Sequence, residues 1–203
     1  MKKKIAILGI VDVGLYAVIV FLYLIFKSEQ LLTLWEAITI LSAPVMLLIL
    51  LDILKNSSHE KSVFQNLTIV FMTCTIVLTS VAHFVNITVT RKLIEEGVNI
   101  PTYFQIGYWP SVEMSIDYLA WGFFMGLAFI TTACPLHMVD SLEKRLKIML
   151  FACGSLCLLG FFGTILVNEN FWYLAPQGYG VGIMIVCIVM LQGHKKRMLN
   201  YDR

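Results

Sequence analysis

The sequence predicts an all-α fold: a polytopic integral membrane protein, a bundle of six transmembrane helices with both termini cytoplasmic. Three observations predict it. Of 203 residues, 59% are hydrophobic and only 14% charged, with a mean hydropathy of +0.82. Soluble domains carry about 25% charged residues, because polar groups must cover their exterior. Six runs are long enough to cross a hydrocarbon core, which takes roughly 20 apolar residues at 1.5 Å rise each. Lastly, Lys and Arg crowd every second connection.

The runs are about 5–26, 31–54, 64–90, 112–135, 146–167 and 171–192. The first begins directly after "MKKK" with no small-residue cleavage site. It reads as a retained helix that doubles as an uncleaved insertion signal. With both termini inside, the inner segments hold Lys2, Lys3, Lys4, Lys55, Lys61, Lys144, Arg145, Lys147, Lys195, Lys196, Arg197 and Arg203, against Lys27, Arg91 and Lys92 outside. Trp35, Trp109 and Trp172 fall near the outer helix ends, where amphipathic rings favour the headgroup layer. Residues 1–203 therefore read as a single six-helix transmembrane domain, expected in a bacterial cytoplasmic (plasma) membrane. The outer loop 91–111 is the one long connection. Its start can continue the third helix to Gly97, a good C-terminal stop. The aromatic, uncharged "NIPTYFQIGYW" that follows suits the interface or a segment folded over the bundle.

A net charge of +2 excludes nucleic acid as a partner, and the inner basic clusters follow from topology, with anionic lipid a secondary contact. Cys74, Cys134, Cys153, Cys157 and Cys187 all lie in apolar runs, which argues against structural disulfides and zinc pairs; buried Cys is usually a small packing residue. His59, His137 and His194 lie in or beside inner loops and read as solvated. No internal repeat is visible, so an inverted-repeat transporter has no support.

The polar residues inside the runs carry the functional reading. In the third helix Thr75, Thr79, His83, Asn86 and Thr90 are spaced 4, 4, 3 and 4 apart, one stripe down one helical face. It must face the bundle, since His and Asn are costly against lipid. Interhelical hydrogen bonding explains such a stripe as well as binding does. In "WPSVEMSIDYLAW", Glu113 and Asp117 share a face, with Trp121 a turn deeper. With Pro110 in the first helical turn, Glu113 complements the helix dipole. Asp117 lies beyond its reach and needs a partner: a proton, His83, water or a cationic ligand. Glu36 follows Trp35, and Gln177 and Tyr179 sit where Pro176 and three glycines interrupt the sixth helix; freed backbone groups are tolerated at depth only inside protein or beside water. Asp12, with Tyr16 a turn on, is either a functional carboxylate or a neutral one bonded to another helix.

The ligand-binding candidates are thus Glu36, His83, Asn86, Glu113, Asp117, Trp121, Gln177 and Tyr179, and the proton-coupling candidates Asp12, His83 and Asp117. The leading reading is an outward-facing acidic and aromatic pocket that binds or transports a small cationic or amphipathic molecule. Six helices in a chain of this length are similar in architecture to the vitamin-binding subunits of energy-coupling transporters, without their sequence motifs. One alternative is an intramembrane lipid-active enzyme, with His83 and the carboxylates as acid–base or metal groups; no HExxH or GxSxG is present. The other is a structural or regulatory subunit of a membrane complex, with Gly122 and Gly126 as a close-packing face. No cofactor is called for. The expected partners are the lipid bilayer, a small-molecule ligand and, on the last reading, a membrane protein.

Overall fold

The structure, a computed structural model, describes residues 2–56, 62–105, 108–138, 140–166 and 169–201; the side chains of 62, 169, 170 and 195–201 are not described. It is all-α, with six helices long and apolar enough to cross a membrane: α1 (Lys3–Phe26), α2 (Glu29–Asn56), α3 (Val63–Glu95), α4 (Val112–Ala133), α5 (Ser141–Ile165) and α6 (Leu174–His194). Lys61, Arg203 and the side chains of Lys195, Lys196 and Arg197, five of the twelve inner charges, lie outside the described residues, as does His59, expected to be solvated.

The expected runs and the helices differ mainly where charge enters the helix ends. α5 starts at Ser141, not Leu146, because Asp140 caps it: Oδ1 accepts the Leu142 and Glu143 backbone N–H groups at 2.9 and 2.7 Å, which are orphan donors of the first turn. One turn on, Lys147 donates to the Leu136 carbonyl at 2.7 Å, binding the charged start of α5 to the end of α4. α3 runs on to Glu95 and stops where expected. Gly97 has φ +78, and the Gly97 and Val98 N–H groups bond the Ile94 and Leu93 carbonyls, the paired bonds that close a helix on a left-handed glycine. Pro110, expected inside α4, stands one residue before its cap. Ser111 is the cap, its Oγ accepting the Met114 N–H at 3.1 Å.

Each helix packs on its sequence neighbour, and α6 closes the ring onto α1. The face formed by the ends of α1, α3 and α5 and the starts of α2, α4 and α6 carries the 91–111 connection and is called the loop face. The half of the bundle away from it is filled. Ile49, Leu50 and Ile53 of α2, Met125 and Phe129 of α4, and Ile183, Val186 and Met190 of α6 are buried there. Lipid tails are as apolar as these side chains, so close packing rather than water exclusion holds the helices together.

α5 is held by small residues. A Cβ on Gly154 would lie 2.8 Å from the Gly126 carbonyl oxygen, and one on Gly160 2.6 Å from the Ala175 nitrogen. Gly122 and Gly126, expected as a face for another protein, are used within the chain against α5. Gly178 and Gly182 belong to the same seam, packed on Cys157 and Cys153. Gly178 and Gly182 thus serve close helix approach, whereas Gly180 has open space beside it. Three of the helices also contain a wider turn with i→i+5 bonding: Asn86–Thr90 in α3, Leu119–Phe124 in α4 and Gln177–Gly182 in α6.

Candidate functional site

The loop-face half of the ring encloses a cavity of about 1060 Å³, walled by α1, α2, α3, α4 and α6, with Gln105 and Tyr108 of the loop at its rim. No described residue of α5 lines it.

The stripe on α3 builds one wall. Thr75, Thr79, His83, Asn86 and Thr90 are all buried, as their spacing requires. Of the lower members, Thr75 donates to the Ala120 carbonyl at 3.2 Å, joining α3 to α4, while Thr79 Oγ1 has no partner among the described residues. The upper members, His83, Asn86 and Thr90, reach the cavity. His83, 4% exposed, lies between two carboxylates from two other helices. Its Nδ1 contacts Glu36 Oε2 of α2, and its Nε2 contacts Asp117 Oδ1 of α4 at 3.2 Å. Glu36 is buried and Asp117 keeps 19% of its side chain exposed, so the chain of three runs from a closed end to an open one.

Proton counting fixes the charge of this trio. Each contact needs one hydrogen, and imidazole can hold one or two. With one proton in each contact and none on the outer carboxylate oxygens, the three groups sum to −1, whether His83 is cationic between two carboxylates or neutral beside a carboxylic acid. Among the described lining residues the only Lys or Arg is Arg91, and it is engaged at the rim. Arg91 Nη2 donates to the Glu29 carbonyl and carboxylate, both at 3.0 Å, and Nη1 bonds Thr33. The trio therefore has no protein cation to offset it, in surroundings where an unbalanced charge is costly.

Asp12 of α1 is a second acid on the same cavity, 6% exposed. Ser42 of α2 contacts its Oδ1 at 3.1 Å and the Ile38 carbonyl at 2.9 Å. One hydroxyl hydrogen serves one of these at a time. Ser42 donates to the Asp12 carboxylate, or it donates to Ile38 while accepting from a protonated Asp12. Asp12 Oδ2 has no partner among the described residues, and the same holds for the buried donors Asn86 Nδ2 and Trp121 Nε1 of two other lining residues.

Aromatic rings complete the walls. Trp35 donates from Nε1 to the Tyr16 hydroxyl at 2.9 Å and packs on Tyr23 with centroids 5.4 Å apart. Trp121 packs on Tyr179 at 5.0 Å. Above them Tyr118 bonds the Trp172 carbonyl, and Trp109 packs on Trp172, tying the starts of α4 and α6 together.

Of the sequence-selected residues, Asp12, Glu36, His83, Asn86, Asp117, Trp121 and Tyr179 come together on this cavity. Glu113 and Gln177 do not. Glu113 is buried against α3, its Oε1 accepting from Thr90 at 3.1 Å, so it fastens the helix start. Gln177 is exposed on the outside of α6: two residues from Tyr179 along a helix is nearly half a turn, so both cannot face one cavity. Ser42, Tyr23, Tyr118 and Arg91 were missed as lining residues. Ser42 was within reach of the sequence, since Asp12 and Ser42 stand nearly equidistant from the tight turn at Lys27 and Ser28 and so meet in an antiparallel hairpin.

Compared with protein-family models, curated proteins and solved structures, the chain matches none. Its function is read from its own residues.

Proposed function

We propose that this multi-pass membrane protein binds a small organic cation in the cavity, with the loop face outside and both termini in the cytoplasm of a bacterial cell. The observation that carries the reading is the Glu36–His83–Asp117 chain, two carboxyl groups on one imidazole, inside an aromatic-walled cavity whose one described lining cation, Arg91, is engaged with Glu29. An ammonium group at Asp117 supplies the missing charge, and the faces of Trp121, Tyr179 and Trp35 attract its alkyl substituents through cation–π contact. Asp117 is the open end of the chain, so a cation arriving there competes with the proton it shares with His83. Asp12, His83 and Asp117 in this way couple binding to protonation. The distribution of Lys and Arg supports the orientation. Binding is better supported than passage, because the packed half around Phe129 would have to part for a ligand to cross.

Tryptophan fluorescence of the protein in lipid nanodiscs, titrated with primary and quaternary alkylammonium ions, tests the proposal. A saturable response that Asp117→Asn weakens at least tenfold is expected. No saturable response to any of these ions, or an equal one in Asp117→Asn, overturns it.

A further inference from the structure

The cavity holds two acidic centres rather than one. The first is the trio at His83, at −1 when the two shared protons are its only ones. The second is Asp12, on another helix, with a buried Oδ2 that no described group meets. The two centres are stacked along the cavity axis. Glu36 and Ser42, which contact His83 and Asp12 respectively, are six residues apart on α2, about 9 Å by helical rise. Tyr16, Thr39, Trp121 and Tyr179 line the cavity as well, offering ring faces and a methyl group.

We propose that the ligand is a linear dication, two ammonium groups joined by an apolar spacer, with one head at Asp117 and the other at Asp12. This rests on the cation-binding reading above and narrows it to a ligand class. Two heads on one molecule match two acids that no Lys or Arg among the lining residues serves. Ser42 suits the deeper head: when Asp12 turns its carboxylate to an ammonium, the Ser42 hydrogen moves from the Ile38 carbonyl to Oδ1 and keeps that oxygen satisfied. An extended zigzag chain advances about 1.25 Å for each bond of about 1.5 Å, so a spacer that spans the axial separation has about six methylene groups. A monocation leaves Asp12 unserved, and a short dication cannot reach both acids.

Isothermal titration of the full chain in nanodiscs decides it, using hexamethylene diammonium, hexylammonium, ethylene diammonium and decamethylene diammonium, with empty nanodiscs as control. Hexamethylene diammonium is expected to bind one per chain and about tenfold or more tighter than hexylammonium, with the shorter and longer dications weaker. Asp12→Asn should bring the ratio of the two six-carbon ligands close to unity, and unaltered elution and thermal transition show whether that variant is folded. The length series on the unmodified protein carries the test independently of the variant. Hexylammonium binding as tightly as the dication, two hexylammonium ions per chain, affinity that only rises with chain length, or a ratio that survives in folded Asp12→Asn each overturns the dication. In those cases cation binding itself stands. If none of the four binds, the dication falls, and cation binding falls with it when the quaternary ions give no saturable response either.

Discussion

The two halves of the bundle handle the same constraint in opposite ways. In the half away from the loop face, Ile49, Leu50, Met125, Phe129, Ile183 and Met190 fill the space between helices, and the few polar groups are spent on helix contacts such as Thr68 with Thr131 at 2.9 Å. In the loop-face half the helices separate around a cavity, and buried polar groups are left with capacity: Asp12 Oδ2, Asn86 Nδ2 and Trp121 Nε1. A chain that needed only a stable bundle would have repeated the first solution in both halves, since buried acids are costly and packed apolar residues are not. The difference teaches that the upper half is shaped for something other than stability.

The largest test of that contrast is Phe129→Ala. Emptying the packed half should cost about 3–5 kcal/mol of stability, measured by unfolding in bicelles, while alkylammonium affinity in folded protein changes little. Asp117→Asn should do the reverse, weakening binding at least tenfold, about 1.4 kcal/mol, with the unfolding transition nearly unmoved. If the two variants affect both readouts alike, the halves are not separable and the contrast fails. Trp121→Leu sharpens it further: loss of a ring face should weaken cation binding by about 0.5–2 kcal/mol, read by titration calorimetry. Smallest is Gln177→Ala. Its side chain is exposed outside the cavity, and both readouts should stay within about 0.5 kcal/mol of the parent.

Much of this was legible in the sequence because the relevant signals are periodic. The six helices are visible as apolar length, and the inward face of α3 as the spacing from Thr75 to Thr90. Asp117 stood out because it lies too deep for the helix start to explain. What was not legible depends on which neighbour a helix meets. Glu113 and Asp117 share a face, yet Thr90 occupies one and His83 the other, which no spacing reveals. The start of α5 was hidden by Lys144, Arg145 and Lys147, read as loop when they lie in its first turns. Gln177 was misplaced by grouping it with Tyr179 through the shared Pro176–Gly182 stretch rather than by helical angle.

The three wide turns, at Asn86–Thr90, Leu119–Phe124 and Gln177–Gly182, change how the chain would respond to the loss or gain of one residue. Each holds a residue more than an ordinary turn would, and one residue is worth about 100° of helical rotation. Five residues in a wide turn and four in an ordinary one cover nearly the same angle, so removing a single position from Asn86–Thr90 would let that stretch relax to ordinary helix with Arg91 still beside Glu29 and His83 in place. An inserted residue would have no such slack and would turn the entrance relative to the site beneath it.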